Sequence, residues 1–310
     1  MLRLYLDQRD LIDLAEGDPE DASDVLRLVE DRRVQVVLSF NHILETWKYG
    51  NASGRDRVAR LADSLRPSWI LFRPELFQAE IAASFLKFVG HQVATEWLPS
   101  SVSGYFKTEA ANPRQHIFVP FRPSSFESHF PRADSLTAPK QSFRAYLTVL
   151  EEEHATASAL VQLHETYSAQ SPEWKTTLSA PGDQAALIQS YFDLAWTGVP
   201  IPAAVRSQFL ESADRRACPA LSVYFEIRQA ILKDRTAHSA PSEMVDVAHV
   251  VALPYCDAFS TDKRIWDYLR RCRISREMFS ESQVGKMTPF KKLGHALTWI
   301  RELPIQRSAG

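Results

Sequence analysis

The stretch DVAHVVALPYCDAFSTDK, residues 246–263, decides the fold of this chain. Its first part lies within a predicted helix over residues 243–253, and the buried character of residues 258–261 predicts a short strand. Asp246 opens the stretch, Asp257 precedes the strand and Asp262 follows it. A helix that leads directly into a buried strand is typical of an α/β protein.

A matching acidic pair lies near the N terminus. Residues 2–6 predict a strand that ends on Asp7, and residues 34–38 predict a second strand, which enters a helix that carries Glu45. Strands and helices continue to alternate up to about residue 72, which favours a parallel sheet. The fold class that follows is α/β with a central parallel sheet.

Four of these acids are expected to converge at one edge of the sheet. In a parallel α/β sheet, ligands bind outside the carboxyl ends of the strands, and Asp7 and Asp262 each follow a strand. The helix after the second strand starts at this edge, with Ser39 or Asn41 as its N-cap, so Glu45 lies about one turn below the rim. The helix before the strand of residues 258–261 runs antiparallel to it, which brings Asp246 to the same rim.

The pattern resembles a known family. A strand that ends in Asp, a Ser-x-x-x-x-x-Glu segment after a second strand, Asp-x-x-His in a helix and Asp-x-Phe-Ser-Thr-Asp at a strand end resemble the PIN-like nuclease superfamily. The resemblance implies a three-layer α/β/α fold and metal-dependent ribonuclease activity. Carried over position by position, it nominates as catalytic and metal-binding acids Asp7, Glu45, Asp246 and Asp262, with Asp257 as a fifth candidate metal ligand.

The resemblance covers only about residues 1–72 and 242–280. We therefore predict a discontinuous PIN-like domain, residues 1–72 and 242–310, interrupted by a mainly helical insertion over residues 73–241. Amphipathic stretches are predicted near residues 75–96, 141–168, 183–197, 202–213 and 218–234, and five prolines within residues 111–140 predict a linker. In the family, the second and third acids are usually much closer in sequence, so the resemblance does not extend to the insertion.

Clustered carboxylates suit a particular chemistry. Carboxylates are hard oxygen ligands for Mg²⁺ or Mn²⁺, and such ions activate water for attack on a phosphodiester. Thr261 and Ser260 are candidates for hydrogen bonds to a carboxylate or a bound water. His249, one helical turn after Asp246, either orients that carboxylate, contacts substrate or is a satisfied core histidine.

Each acid also has a purely structural interpretation. Asp7 can cap the helix that follows it, and Asp246 can be a favourable charge in a first helical turn. Glu45 can lie on a solvated helix face, and Asp257 can terminate a helix. The coincidence of four acids at one rim, together with the family resemblance, favours the metal site.

Charge is distributed unevenly along the chain. Eleven Lys and Arg face four Asp and Glu from residue 263 to 310, so this end carries +7, which leaves −9 for residues 1–262 because the whole chain carries −2. Such asymmetry suggests a polyanion partner, here RNA. The candidate phosphate contacts are Lys263, Arg264, Arg270, Arg271, Lys291 and Lys292.

Other classes are disfavoured. No apolar run reaches the roughly 18–20 residues of a membrane span, and neither a secretory segment nor a glycine-rich phosphate loop is present, so we expect a soluble, cytoplasmic protein. Three scattered cysteines predict reduced thiols. A haloacid-dehalogenase-like phosphatase needs an acid two residues after its nucleophile, whereas Arg9 follows Asp7 at that spacing.

The predicted function is divalent-metal-dependent endoribonuclease. The alternative is an inactive PIN-like scaffold that binds RNA or a protein partner through the helical insertion. The sequence leaves open the preference for RNA or DNA and the oligomeric state. Near the C terminus, Thr288 and Pro289 predict the N-cap and first position of a closing helix, with a buried stripe formed by Phe290, Leu293, Leu297 and Ile300.

Overall fold

A computed structural model describes residues 1–39, 41–42, 45–46, 52–70, 73–90, 188–193, 201–212, 218–233, 241–272, 288–290 and 292–302. The predicted linker over residues 111–140 and the amphipathic stretch over residues 141–168 lie outside these ranges. Among the described helices, none has the length and apolar character needed to cross a membrane.

A parallel sheet organises the fold. Its described strands are β1 (Leu2–Tyr5), β2 (Val34–Ser39), β3 (Ser68–Ile70), β4 (Ala258–Ser260) and β5 (Thr288–Phe290). They lie in the order β3-β2-β1-β4-β5, and every pairing is parallel. The predicted α/β class with a parallel sheet is confirmed.

Helices alternate with these strands along the chain. They are α1 (Gln8–Glu16), α2 (Pro19–Glu30), α3 (Ala52–Ser64), α4 (Arg73–Phe88), α5 (Ala203–Ser212), α6 (Pro219–Lys233), α7 (Pro241–Val250), α8 (Lys263–Arg271) and α9 (Leu293–Glu302). Residues 41–42, 45–46 and 188–193 are also helical, and a 3₁₀ turn (Leu253–Tyr255) connects α7 to β4.

Strand alternation divides the core into two layers. Successive side chains of a strand point to opposite faces of the sheet. Leu4 therefore joins the buried cluster that contains residues of α1, α2, α3 and α9, whereas Tyr5 joins the cluster formed with α4 to α8. Helices thus cover both faces of the described sheet, and apolar burial on both sides stabilises it.

The described part of the predicted insertion packs on the sheet itself. Phe85 of α4 makes edge-to-face contacts with Phe192 and Phe209, at ring-centroid distances of 5.1 and 5.3 Å. These aromatic side chains share one buried cluster with Tyr5 and Phe259 of the sheet. The described helices of the predicted insertion therefore form part of one helical layer of the α/β core, which we call the insertion layer.

The C-terminal end corrects one prediction. Thr288 and Pro289 do not start a helix, because residues 288–290 form β5, which pairs with β4. A proline is tolerated in a strand at the edge of a sheet, where its missing N–H breaks no ladder. Helix α9 begins only at Leu293, and its Leu297 and Ile300 are buried as predicted.

A buried carboxylate that the sequence did not single out joins the insertion layer. Glu80 of α4 accepts hydrogen bonds from the backbone N–H groups of Ala220 (2.7 Å) and Leu221 (3.2 Å), and from the Tyr255 hydroxyl. The two N–H groups belong to the first turn of α6, where a helix lacks internal acceptors. Burial raises the pKa of Glu80 to about 7.

This pKa predicts a pH dependence of stability. Because the folded pKa of Glu80 lies above the unfolded value of 4.5, its contribution is fully present below pH 4.5 and is lost as pH rises through 7. We expect the unfolding free energy to fall by roughly 3 kcal/mol across this window relative to Glu80→Gln. Denaturant unfolding between pH 4 and 8 measures this difference, with the exposed substitution Glu211→Gln as control. Parallel stability curves for the parent and Glu80→Gln would contradict the prediction.

Candidate functional site

The sheet order defines where a site belongs. From β1 the chain continues to β2 and β3 on one side, whereas β4 and β5 lie on the other side of β1. In open α/β sheets, ligands bind outside the carboxyl ends of the strands at the point where the order reverses. Asp7 follows β1 and is the N-cap residue of α1, and Asp262 follows β4 and is the N-cap residue of α8. Both acids therefore flank this crevice.

Electrostatic interactions connect the four nominated acids. Burial raises the pKa of Asp7, His249 lowers it, and the charges of Glu45 and Asp262 raise it further. Burial and the charges of Asp262, Asp7 and Glu45 together raise the pKa of Asp246 to about 7, against the lowering effect of His249. Asp7 and Asp246 thus lie close enough to each other, to Glu45 and to Asp262 for these neighbouring charges to disfavour their ionisation.

His249 is the cation of this cluster. Its Nε2 donates to Glu45 Oε1 at 3.0 Å, and the ring is buried. Burial lowers the pKa of His249, but Glu45, Asp7 and Asp246 outweigh that effect and raise it to about 9. The imidazolium is therefore present at neutral pH. The Nε2 hydrogen bond goes to Glu45 and not to Asp246, which differs from one of the three sequence interpretations of His249, whereas its burial fits that of a satisfied core histidine.

Behind His249 lie polar side chains that sequence reasoning missed. The Tyr5 hydroxyl lies 2.6 Å from His249 Nδ1 and 2.7 Å from Ser39 Oγ. His42 Nδ1 accepts from the Ser39 backbone N–H at 2.9 Å, and His42 Nε2 donates to the Leu6 carbonyl at 2.7 Å. Burial lowers the pKa of His42 to about 3, so this ring is neutral. The available signal was the position of Tyr5 and Ser39 at the ends of two strands.

Asp262 also has a structural role. Its Oδ1 accepts from the backbone N–H groups of Arg264 (2.5 Å) and Ile265 (2.9 Å), which caps the N terminus of α8. The cap explains why the chain turns from β4 into a helix at this residue. It also holds the Asp262 carboxylate at the rim.

The structure corrects the nomination of Asp257. This residue precedes β4, and its carboxylate accepts from the Arg3 backbone N–H at 2.7 Å, while its own N–H donates to the Arg3 carbonyl at 2.9 Å. Asp257 and Asp262 therefore lie beyond opposite ends of β4, whose three residues at the usual rise span about 10 Å. Asp257 belongs to the amino edge of the sheet and does not join the acid cluster.

The candidate phosphate contacts are also divided. Lys263 and Arg264 form the first turn of α8, directly after Asp262, whereas Arg270 and Arg271 lie in its last turn, about 10 Å along the axis. The Arg270 guanidinium lies 4.6 Å from the centre of the Trp266 ring, and Arg271 lies 5.8 Å from that of Tyr268. Lys292 follows β5 at the carboxyl edge, and Lys291 lies outside the described residues.

A further acid near the rim escaped the sequence analysis. The Ser260 hydroxyl donates to the Asp10 carboxylate, so Ser260 does bind a carboxylate as expected, although not one of the four nominated acids. Burial and the charge of Asp7 raise the pKa of Asp10 to about 6, against the hydrogen bond from Ser260, which lowers it. The Asp7-x-x-Asp10 spacing was the available signal, because it places the second acid in the first turn of α1. Thr261 is buried beside Asp262.

The acid cluster fits a hard divalent cation in donor chemistry, since carboxylate oxygens are the ligands that Mg²⁺ and Mn²⁺ prefer. A cation among them would also relieve the repulsion that raises the pKa values of Asp7 and Asp246. The side-chain positions are less favourable: within the described parts of the chain, no group of three or more His, Cys, Asp or Glu is placed to hold a metal ion. Glu45 is hydrogen-bonded to His249, and Asp262 caps a helix.

Comparison with protein-family models, with curated proteins and with solved structures gave no match to this chain. The functional assignment therefore depends on the geometry and electrostatics of the rim.

Proposed function

We propose that this protein is a PIN-like, divalent-metal-dependent endoribonuclease whose catalytic acids are Asp7, Glu45, Asp246 and Asp262. The observation that carries the proposal is the proximity of the four carboxylates where the sheet order reverses, which raises the pKa values of Asp7 and Asp246. Groups with strongly shifted pKa values in a cleft are typical of functional sites. Like charges that destabilise the metal-free fold have a clear use when they bind a cation.

The four carboxylates would hold Mg²⁺ or Mn²⁺. The bound ion would supply an activated water and stabilise the leaving oxygen during phosphodiester hydrolysis. The His249 imidazolium compensates part of the negative charge of the cluster and keeps Glu45 in place. Lys263 and Arg264, which directly follow Asp262 in the first turn of α8, would attract the phosphates of the substrate.

A specific observation supports the alternative, a PIN-like scaffold that binds RNA or a protein without cleavage. Two of the four acids already have structural partners, since Glu45 binds His249 and Asp262 caps α8. Side chains held in this way can stabilise the fold without any metal. An RNA cleavage assay distinguishes the nuclease from the scaffold.

The test is incubation of the purified protein with end-labelled RNAs, single-stranded and structured, in Mn²⁺, Mg²⁺ or a chelator. We expect internal cleavage that requires the metal, and a single-stranded DNA of the same sequence tests the preference for RNA. RNA binding without cleavage in either metal would support the scaffold. Neither binding nor cleavage would contradict both the nuclease and the RNA-binding scaffold, and only the protein-binding scaffold would remain.

Substrate binding should depend on the position of the basic residues along α8. Replacing both Lys263 and Arg264 by alanine removes two charges at the rim, and each lost phosphate contact lowers the salt slope by about 0.7 for a single strand. We expect the affinity for single-stranded RNA to fall about tenfold at low salt and the slope to decrease by roughly 1.4. The same replacement at Arg270 and Arg271, in the last turn, should have the smaller effect. Fluorescence anisotropy at several salt concentrations measures both, and a larger loss from the Arg270 and Arg271 pair would contradict the proposed position of the RNA.

A further inference from the structure

The Tyr5 hydroxyl lies at the centre of a buried hydrogen-bond chain that ends on a proposed catalytic acid. It is 2.6 Å from His249 Nδ1 and 2.7 Å from Ser39 Oγ. On the far side of the imidazole, His249 Nε2 is 3.0 Å from Glu45 Oε1. The chain therefore connects β1, β2 and α7 to the Glu45 side chain.

Packing of the Tyr5 ring fixes the position of its hydroxyl group. Tyr5 is fully buried, and its ring stacks on Phe259 with the centroids 4.9 Å apart and the planes 12° apart. The rings of His42 and His249 pack edge-on against it at 5.2 and 5.9 Å. Contacts from several sides leave the phenol ring a single position, so its hydroxyl can orient a neighbouring group.

The direction of the hydrogen bond between His249 and Glu45 follows from the carboxylate at one end of the hydrogen-bond chain. A carboxylate only accepts, so His249 Nε2–H donates to Glu45, which leaves Nδ1 to bind the Tyr5 hydroxyl. Ser39 is held by β2, and its backbone N–H donates to His42 Nδ1 at 2.9 Å. Both ring nitrogens of His249 are thus engaged, which fixes the plane of the imidazole.

We propose that Tyr5 and His249 are positioning residues, which fix the orientation of the Glu45 carboxylate within the acid cluster. This inference rests on the proposed metal-binding function of the acids. A glutamate side chain has three rotatable bonds, and without a partner it would lose conformational freedom on binding a cation. Groups that orient metal ligands in this way typically change metal affinity by 10–100-fold when they are replaced.

The test compares two substitutions of the same chemical kind. Tyr5→Phe removes only the hydroxyl and keeps the ring that stacks on Phe259. Tyr224→Phe is the matched control, because it removes another buried hydroxyl, which accepts from Arg73 Nη1 at 3.1 Å in the insertion layer. We expect Tyr5→Phe to weaken Mn²⁺ binding about tenfold by titration calorimetry, and Tyr224→Phe to leave the Kd within about twofold of the parent.

A conservative substitution of His249 distinguishes a positioning role from a role in protein stability alone. In His249→Gln the side-chain amide can still donate to Glu45, whereas in His249→Leu it cannot. We expect His249→Gln to retain tighter Mn²⁺ binding than His249→Leu. Equal Mn²⁺ affinity in the parent and Tyr5→Phe, or equal losses in Tyr5→Phe and Tyr224→Phe, would overturn the inference, as would the absence of any difference between the two His249 variants.

Failure of the proposed metal-binding function would give a different experimental result from failure of the positioning role. If the parent binds no Mn²⁺, the metal site is wrong, and the metal-free protein then decides the inference. The proton on His249 Nε2 should give a downfield resonance in histidine-labelled protein, and Tyr5→Phe should shift it because the ring loses its second anchor. An unchanged resonance would overturn the positioning role.

Discussion

Asp262→Asn should fold like the parent and cleave RNA at least roughly 100-fold more slowly. Asparagine is as good an N-cap as aspartate, so its amide oxygen can still accept from the N–H groups of Arg264 and Ile265. Only the negative charge at the rim is lost. The substitution therefore separates the cap from the proposed metal ligand, and single-turnover cleavage rates with Mn²⁺ measure the effect.

A second capping aspartate provides the control. Asp18 caps α2 by accepting from the Glu20 N–H at 2.9 Å and lies outside the acid cluster, so Asp18→Asn makes the same chemical change at a helix start elsewhere. We expect its cleavage rate to equal that of the parent and the melting temperatures of both variants to stay within a few degrees of it. An Asp262→Asn protein that cleaves at the parent rate would exclude Asp262 as a catalytic acid and favour the scaffold.

Mn²⁺ should stabilise the parent protein much more than Asp7→Asn, so the more stable of the two should differ without and with the metal. Without metal at pH 8, Asp7→Asn is expected to be the more stable protein. Burial, Glu45 and Asp262 raise the pKa of Asp7 above its unfolded value of 3.8, so the contribution of this group to stability falls as the pH rises above that value. With Mn²⁺ at 100 times its Kd, the parent gains about 2.7 kcal/mol by mass action.

Thermal unfolding at pH 8, with and without Mn²⁺, measures both effects. The parent should gain several degrees in Tm from Mn²⁺, whereas Asp7→Asn should gain little. Asp18→Asn again serves as the control and should respond as the parent does. An equal gain in Asp7→Asn would show that the ions bind elsewhere, and a parent that gains nothing would contradict the metal site.

Local sequence patterns were sufficient for the strand ends and the acids beside them. The apolar runs that become β1 and β4 are short and bounded by acids, so Asp7 and Asp262 had to follow the ends of buried strands. Parallel strand direction then placed both at one edge. Asp257 was nominated by the family resemblance alone, and strand direction places it at the other edge, because β4 lies between Asp257 and Asp262.

The boundary of the last strand was not predictable from local signals. Thr288 and Pro289 have the composition of a helix start, and only pairing with β4 makes them part of a strand. Strand pairing is a contact between segments remote in sequence, and such contacts override local propensity. The helical character of α4, α5 and α6 was predicted, but their place in the same core as the sheet was not.

The sequence by itself determined the α/β class, the ends of the first strands and the residue types that meet at the rim, because hydrophobic periodicity and chain direction are local properties. Only the tertiary structure decided the partners and charge states of those residues. Tyr5 meets His249 across 244 positions of sequence, and the Glu80 carboxylate meets the Ala220 N–H across 140. Protonation depends on burial and on neighbouring charges, and both exist only once the remote segments have packed together.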